Sequence, residues 1–158
     1  MSLEDFKNID PSNLPVGKLI SMIARGHSIY INHHLEKFDI NATQLHLLFE
    51  ISNDSNINQE NIATRCNINK GAVARSIKKL EDKELVIREI DENNRRQNKV
   101  SLTQKGQETL SASIEILKKW EDEVILDEGY VEKDLLKKIL MEIAVKTMEL
   151  NQKENGNE

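Results

Sequence analysis

The side chains in this chain with chemistry to offer are cations, and their spacing gathers them. Residues 65–105 hold eleven of the 22 basic residues (Arg65, Lys70, Arg75, Lys78, Lys79, Lys83, Arg88, Arg95, Arg96, Lys99 and Lys105). The same stretch holds six of the 27 acidic ones, so it carries +5 while the remainder carries -10. Guanidinium and ammonium groups concentrated within an acidic frame are the electrostatic footprint of polyanion binding. The competing reading is a solvated helix face followed by a charged hairpin. Catalysis has little to build on. The six glycines (17, 26, 71, 106, 129 and 156) form no G-x-G-x-x-G, no phosphate loop and no nucleophile elbow. An α/β catalytic domain would also need residues that the chain lacks, so no catalytic residue, metal ligand or cofactor is expected.

Helices must position those cations. Over residues 16–38 the apolar positions Val16, Leu19, Ile20, Ile23, Tyr30 and Ile31 recur at helical spacing, with His27 on the same stripe. Both prolines, Pro11 and Pro15, precede this helix and predict an irregular leader. Asn41 followed by Gln44 predicts a capping box that opens a second helix, through Ile51, which the run SNDSN breaks. A short helix over 59–66 follows, with Ile62, Ala63 and Cys66 inward, then a turn at residues 67–69. Asn69 is a good N-cap for a helix over 70–83, in which Val73, Ile77 and Leu80 make one apolar face. At about 100° per residue the opposite face carries Gly71, Ala72, Arg75, Lys78 and Lys79. Helix, tight turn and helix with a basic outer face is a helix-turn-helix.

Residues 85–90 and 99–102 then predict two strands of a hairpin, joined by a polar loop, 91–98, that carries Arg95 and Arg96. Thr103 caps a long helix that Gly129 ends, and a last helix spans about 132–150. The expected fold is mainly α: a winged helix-turn-helix with long N- and C-terminal helices and a two-stranded β wing. Its parts would be a leader and first helix (1–38), the winged lobe (39–103), the C-terminal helices (104–150) and a polar tail (151–158).

On duplex DNA the pieces have distinct tasks. A helix fits the major groove, where each base pair shows its own donor and acceptor pattern. Gly71 and Ala72 would let the helix start, capped by Asn69, sit deep, and Arg75 could reach guanine in bidentate fashion. Lys70, Lys78 and Lys79 suit phosphates, which position the protein without reading sequence. Arg95 and Arg96 suit a minor groove, whose narrow A/T tracts concentrate negative potential.

The stretch INKGAVARSIKKLEDKELVIREIDENNRRQNKVSLTQKG resembles the MarR family of transcriptional regulators. The likeness rests on the basic helix, the wing pattern D-x-x-x-R-R and the L-T-x-x-G of Leu102, Thr103 and Gly106. The segment LPVGKLISMIARGHSIYI resembles archaeal members. The resemblance implies a homodimer in which the terminal helices of two subunits interlock, becoming dimerisation helices. It also implies a pseudo-palindromic operator and repression. Two departures stand out: Asn94 replaces an Asp that commonly braces the wing, so that any bracing ion pair is either lost or moved to Asp91. Glu84 occupies the place of a helix-ending Gly, where a left-handed conformation costs a non-Gly residue roughly 1 kcal/mol.

Family members are often released from DNA by small phenolic or other aromatic acids, bound where the dimerisation helices meet the DNA-binding lobe. By that resemblance Lys18, Arg25, His27 and Tyr30 are the candidate effector ligands; an interface salt bridge or a snorkelling side chain is the plainer role for Arg25. Some relatives sense zinc, but His27, His33, His34 and His46 show no metal-ligand spacing. Others sense peroxide through a cysteine near the N-terminus, whereas the single Cys66 falls at an inward position. A metal- or redox-responsive regulator of the same fold and a winged-helix protein–protein adaptor are the alternatives.

Composition frames these readings. With 38% hydrophobic and 4% aromatic residues, the core must be mostly Ile, Leu and Val, and a thin core suggests apolar surface buried against another subunit. No run approaches the roughly 18 apolar residues of a bilayer span. The start MSLEDFKNID resembles no signal peptide, and a lone cysteine suits a reducing compartment, so a cytoplasmic location without membrane attachment is expected.

Overall fold

The computed structural model describes residues 3–92, 94–125 and 132–155, the side chains of 94–97 and 155 excepted. The chain divides into two compact units, residues 1–118 and 119–158. The leader holds more order than its prolines suggest: a short helix α1 (Leu3–Lys7), then a 3-10 turn (Pro11–Asn13). Pro15 stands at the N-cap of α2 (Val16–Leu35), where a missing N–H costs nothing. The predicted helix over 16–38 tightens after Leu35 into a 3-10 turn (Glu36–Phe38).

Side-chain caps start the next three helices. In α3 (Ala42–Asn53) the Asn41 side chain accepts from the Gln44 N–H, and Gln44 Oε1 accepts from the Asn41 N–H, which completes the capping box. The Asn58 side chain accepts from the Asn61 N–H at 2.7 Å and opens α4 (Gln59–Cys66). Asn67, left-handed at φ 51°, turns the chain, and Asn69 accepts from the Ala72 N–H at 2.7 Å to open α5 (Lys70–Asp82).

The wing differs from its prediction in two ways. Strands β2 (Val86–Asp91) and β3 (Asn94–Leu102) extend through residues expected to form a loop, with Glu89 opposite Lys99 and Asp91 opposite Asn94. Polar residues are compatible with strand pairing wherever a ribbon projects into water, because the ladder satisfies the backbone and the side chains stay solvated. A third strand, β1 (Ile57–Asn58), pairs with β3 through Ile57 and Val100, so the sheet is three-stranded in the order β1-β3-β2. Asp91 takes the bracing role: its carboxylate lies 3.3 Å from Lys99 Nζ.

One core holds the first unit together. Leu35, Leu47, Leu48, Ile51, Ile62, Val73, Ile77, Leu80, Val86, Val100 and Leu110 are all buried, which is the aliphatic interior that the composition demands. The end of α5 joins that core to the wing. Glu84 is left-handed at φ 60°, with its N–H bonded to the Glu81 carbonyl and the Leu85 N–H bonded to the Leu80 carbonyl. This is a Schellman closure with Glu where Gly is usual. Helix α6 (Gln104–Val124) begins against it. The Thr103 hydroxyl accepts from the Gly106 N–H and donates to the Glu84 carbonyl, and the Thr103 N–H donates to the Leu85 carbonyl. A Cβ on Gly106 would stand 2.0 Å from the Leu85 carbonyl oxygen, so only glycine fits.

In the second unit, α7 (Lys133–Asn155) runs past residue 150, where the polar tail is expected to begin. Lys133 and Lys137 hold Glu121 at 3.3 and 2.7 Å, and their ammonium groups keep its carboxyl below the usual carboxylate range. Helix α7 exposes Leu135, Ile139, Leu140, Met141 and Ile143. Gly129, the expected end of the preceding helix, lies outside the described residues, and α6 ends at Val124.

Candidate nucleic-acid interface

Burying Val73, Ile77 and Leu80 fixes which side of α5 faces outward. That side carries Lys70, Gly71, Arg75, Lys78 and Lys79, all exposed, with Ala72 half-buried and the capping Asn69 exposed. Its cations are not equivalent. Lys70 pairs with Glu60 of α4. Lys78 Nζ lies 2.8 Å from Asp82 and 3.7 Å from Glu81, and the Asp82 carboxylate raises its affinity for the proton. Arg75 and Lys79 make no ion pair among the described residues. At Gly71 an added Cβ would meet only the Arg75 guanidinium and the Asn69 carboxamide, each at 3.5 Å, an ordinary contact.

Residues outside the predicted set position this face. Both Nε (3.1 Å) and Nη2 of Arg88, on β2, donate to the Glu81 carboxylate of α5, and the guanidinium holds that carboxyl below its usual range. Helix α5 and the base of the wing are thus clamped by a charge-assisted contact. Lys83 reaches back to Asp39, 3.1 Å away, at the end of the α2 segment. The signal for Lys78 and Asp82 was visible as an i, i+4 pair; Glu81 with Arg88 joins a helix to a strand and leaves no local trace. Arg95 and Arg96 fall within β3, and their side chains lie outside the described residues.

The effector candidates separate. His27 lines a cavity of about 320 Å³ with Ile31 of α2, with Ala42, Leu45, His46, Phe49 and Glu50 of α3, and with Ile114 and Leu117 of α6. Burial pushes the His27 imidazole below its ordinary pKa, favouring its neutral form. Tyr30 packs against the core, its ring edge-on to His34 at 4.2 Å, and its buried hydroxyl makes no hydrogen bond among the described residues. Lys18 and Arg25 are exposed, and neither lines the cavity. Cys66 is half-buried, and burial together with nearby Glu50 pushes its thiol pKa up, which disfavours the reactive thiolate.

A family model for MarR matches residues 40–97, which span α3 to the wing. The crystal structure of a MarR transcriptional regulator from Methanosarcina mazei Go1 is 30% identical, with a TM-score of 0.71 over 88% of this chain and 96% of that one. The chain belongs to the MarR family of winged helix-turn-helix transcriptional regulators. A crystal structure of MarR agrees over 92% of this chain and 99% of that one, at 27% identity and a TM-score of 0.82. The regulator SarZ of Staphylococcus aureus is 31% identical over 84 residues, 53% of this chain, and the match spans only 57% of SarZ. A complex of S. aureus MepR with DNA shares the fold at 20% identity and a TM-score of 0.72, over 86% of this chain and 96% of that one. The family model thus covers α3 to the wing, and the structural likenesses extend over most of the chain, in a family of transcriptional regulators. On the archaeal likeness of the leader, the Methanosarcina structure stands beside staphylococcal relatives, which does not single out that branch. Among the described residues no helix is long and apolar enough to cross a membrane, and no three His, Cys, Asp or Glu side chains gather as a metal site.

Proposed function

We propose that this MarR-family chain is a cytoplasmic, homodimeric repressor that binds a pseudo-palindromic DNA operator and is released by a small aromatic effector. The observation that carries the DNA reading is the outer face of α5. Its glycine at position 71 answers no packing demand of the fold, and beside it Arg75 makes no ion pair among the described residues. Both are what a major groove requires: close approach and a free guanidinium. Asn69, Lys70, Ala72, Lys78 and Lys79, with Arg95 and Arg96 on the wing, complete the proposed contact set. MepR bound to DNA on the same fold supports it.

The dimer reading draws support from apolar side chains that water would otherwise meet. Val16, Ile20 and Ile23 are exposed on α2, and the exposed aliphatic row of α7 adds to them. Patches of this kind mark association surfaces. A two-fold pair of recognition helices would sit about 34 Å apart, one turn of duplex. The effector reading draws on the cavity that His27 lines. An aromatic acid would need Lys18 or Arg25 as its partner, and those stand outside that cavity; the aromatic part of the reading is what the cavity favours.

The test is a gel shift with DNA from upstream of the coding region, across a salt series, beside sedimentation of the free protein. Dimers that shift this DNA with affinity falling steeply in salt are expected. Monomers, or indifference to the DNA at low salt, would refute the proposal. Retained DNA binding by Arg75→Ala with unchanged base preference would favour a protein–protein adaptor instead.

A further inference from the structure

The cavity beside His27 has a charge problem that names its ligand. Its walls are apolar: Ile31 and Leu45 are buried at its base, Ile114 and Leu117 close one side, and Phe49 remains 44% exposed. None of its lining residues is Lys or Arg. The one carboxylate there, Glu50, makes no ion pair among the described residues. Half-buried beside apolar surface, this carboxylate offers an incoming cation a charge-assisted contact. Its field is felt locally, since Glu50 contributes to the raised pKa of Cys66. His27, held toward its neutral form by burial, adds little positive charge to offset it.

We propose that this cavity takes a small aromatic amine, with its ammonium on the Glu50 carboxylate and its ring against Phe49, Leu45 and Ile114. The volume, about 320 Å³, lies at the lower end of the roughly 300–1,000 Å³ typical of small-molecule sites and suits a single-ring compound. Phe49 adds a second source of selectivity, because the face of an aromatic ring attracts a cation. An aromatic acid of the same size would place its carboxylate beside Glu50 with no cation to hold it. The assignment deepens the effector reading and rests on it for its biological consequence, though binding itself does not depend on DNA.

Phenethylamine and 3-phenylpropionate share shape and differ in charge, so they separate the two classes. Titrated by calorimetry into the full-length protein without DNA, phenethylamine should bind at least about tenfold more tightly, the discrimination expected of one charge-assisted contact. Glu50→Gln should remove that preference, with an unchanged thermal melt reporting an intact fold, and Glu50→Lys should reverse it. Equal binding of the two compounds, tighter binding of the acid, no binding of either, or a preference that survives Glu50→Gln overturns the proposal. A gel shift with added phenethylamine separates this from the effector reading. Amine binding that leaves the DNA complex intact keeps the ligand class and removes the effector role.

Discussion

Two glycines divide the molecule into a region packed to its limit and a region left open. At the junction of α5, the wing and α6, Gly106 lies so close to the Leu85 carbonyl that a methyl group would overlap it. On the outer face of α5, Gly71 borders only a flexible arginine and a capping asparagine. The first glycine is explained from inside the fold. The second is not, and a residue whose small size serves no internal neighbour is the kind that serves an external one. The cations follow the same division. Lys83, Lys105 and Arg88 are committed at the junction to Asp39, the Lys83 carbonyl and Glu81, whereas Arg75 and Lys79 have no ion pair among the described residues.

Substitutions can break or sharpen this division. Gly106→Ala should have the largest effect, destabilising the fold by about 2–3 kcal/mol as the Leu85 backbone is displaced, read as a fall in the denaturation midpoint. Arg75→Ala should leave that midpoint within about 0.5 kcal/mol and cost about 1–3 kcal/mol in DNA affinity, with relaxed base preference. Gly71→Ala should do the reverse of Gly106→Ala to the fold, adding about 0.5–1 kcal/mol of stability while weakening DNA binding. A stability loss at Gly71 would erase the distinction. The smallest effect concerns the lysines. Lys79→Ala should reduce the slope of log affinity against log salt by about one, and Lys70→Ala by clearly less, because Glu60 already holds Lys70. Equal slopes would mean that the internal pair opens on DNA.

What the sequence made legible was local. Asn41 with Gln44, Asn69 and Thr103 each declare a helix start within three residues, and the inward spacing of Val73, Ile77 and Leu80 orients α5 without reference to anything distant. Asp91 could be named as one alternative for the wing brace, beside loss of the ion pair, though not its partner Lys99. The strand β1 was illegible, since two residues carry no period and only Val100, far along the chain, makes them a strand. Polar residues 94–98 read as a loop because propensity cannot anticipate a partner strand. The cavity was missed apart from His27, as its walls come from three helices well separated in sequence.

The stitch of Thr103 and Gly106 to Glu84 and Leu85 has a consequence for how such chains diversify. Strand β2 leaves this point at Val86 and β3 returns to it at Leu102, so both roots of the hairpin are anchored within a few residues of each other. The span between them can be lengthened, shortened or rewritten with little penalty in closure entropy. Evolution, or an engineer, could therefore exchange the finger for one of another reach and leave helix α5 where it stands.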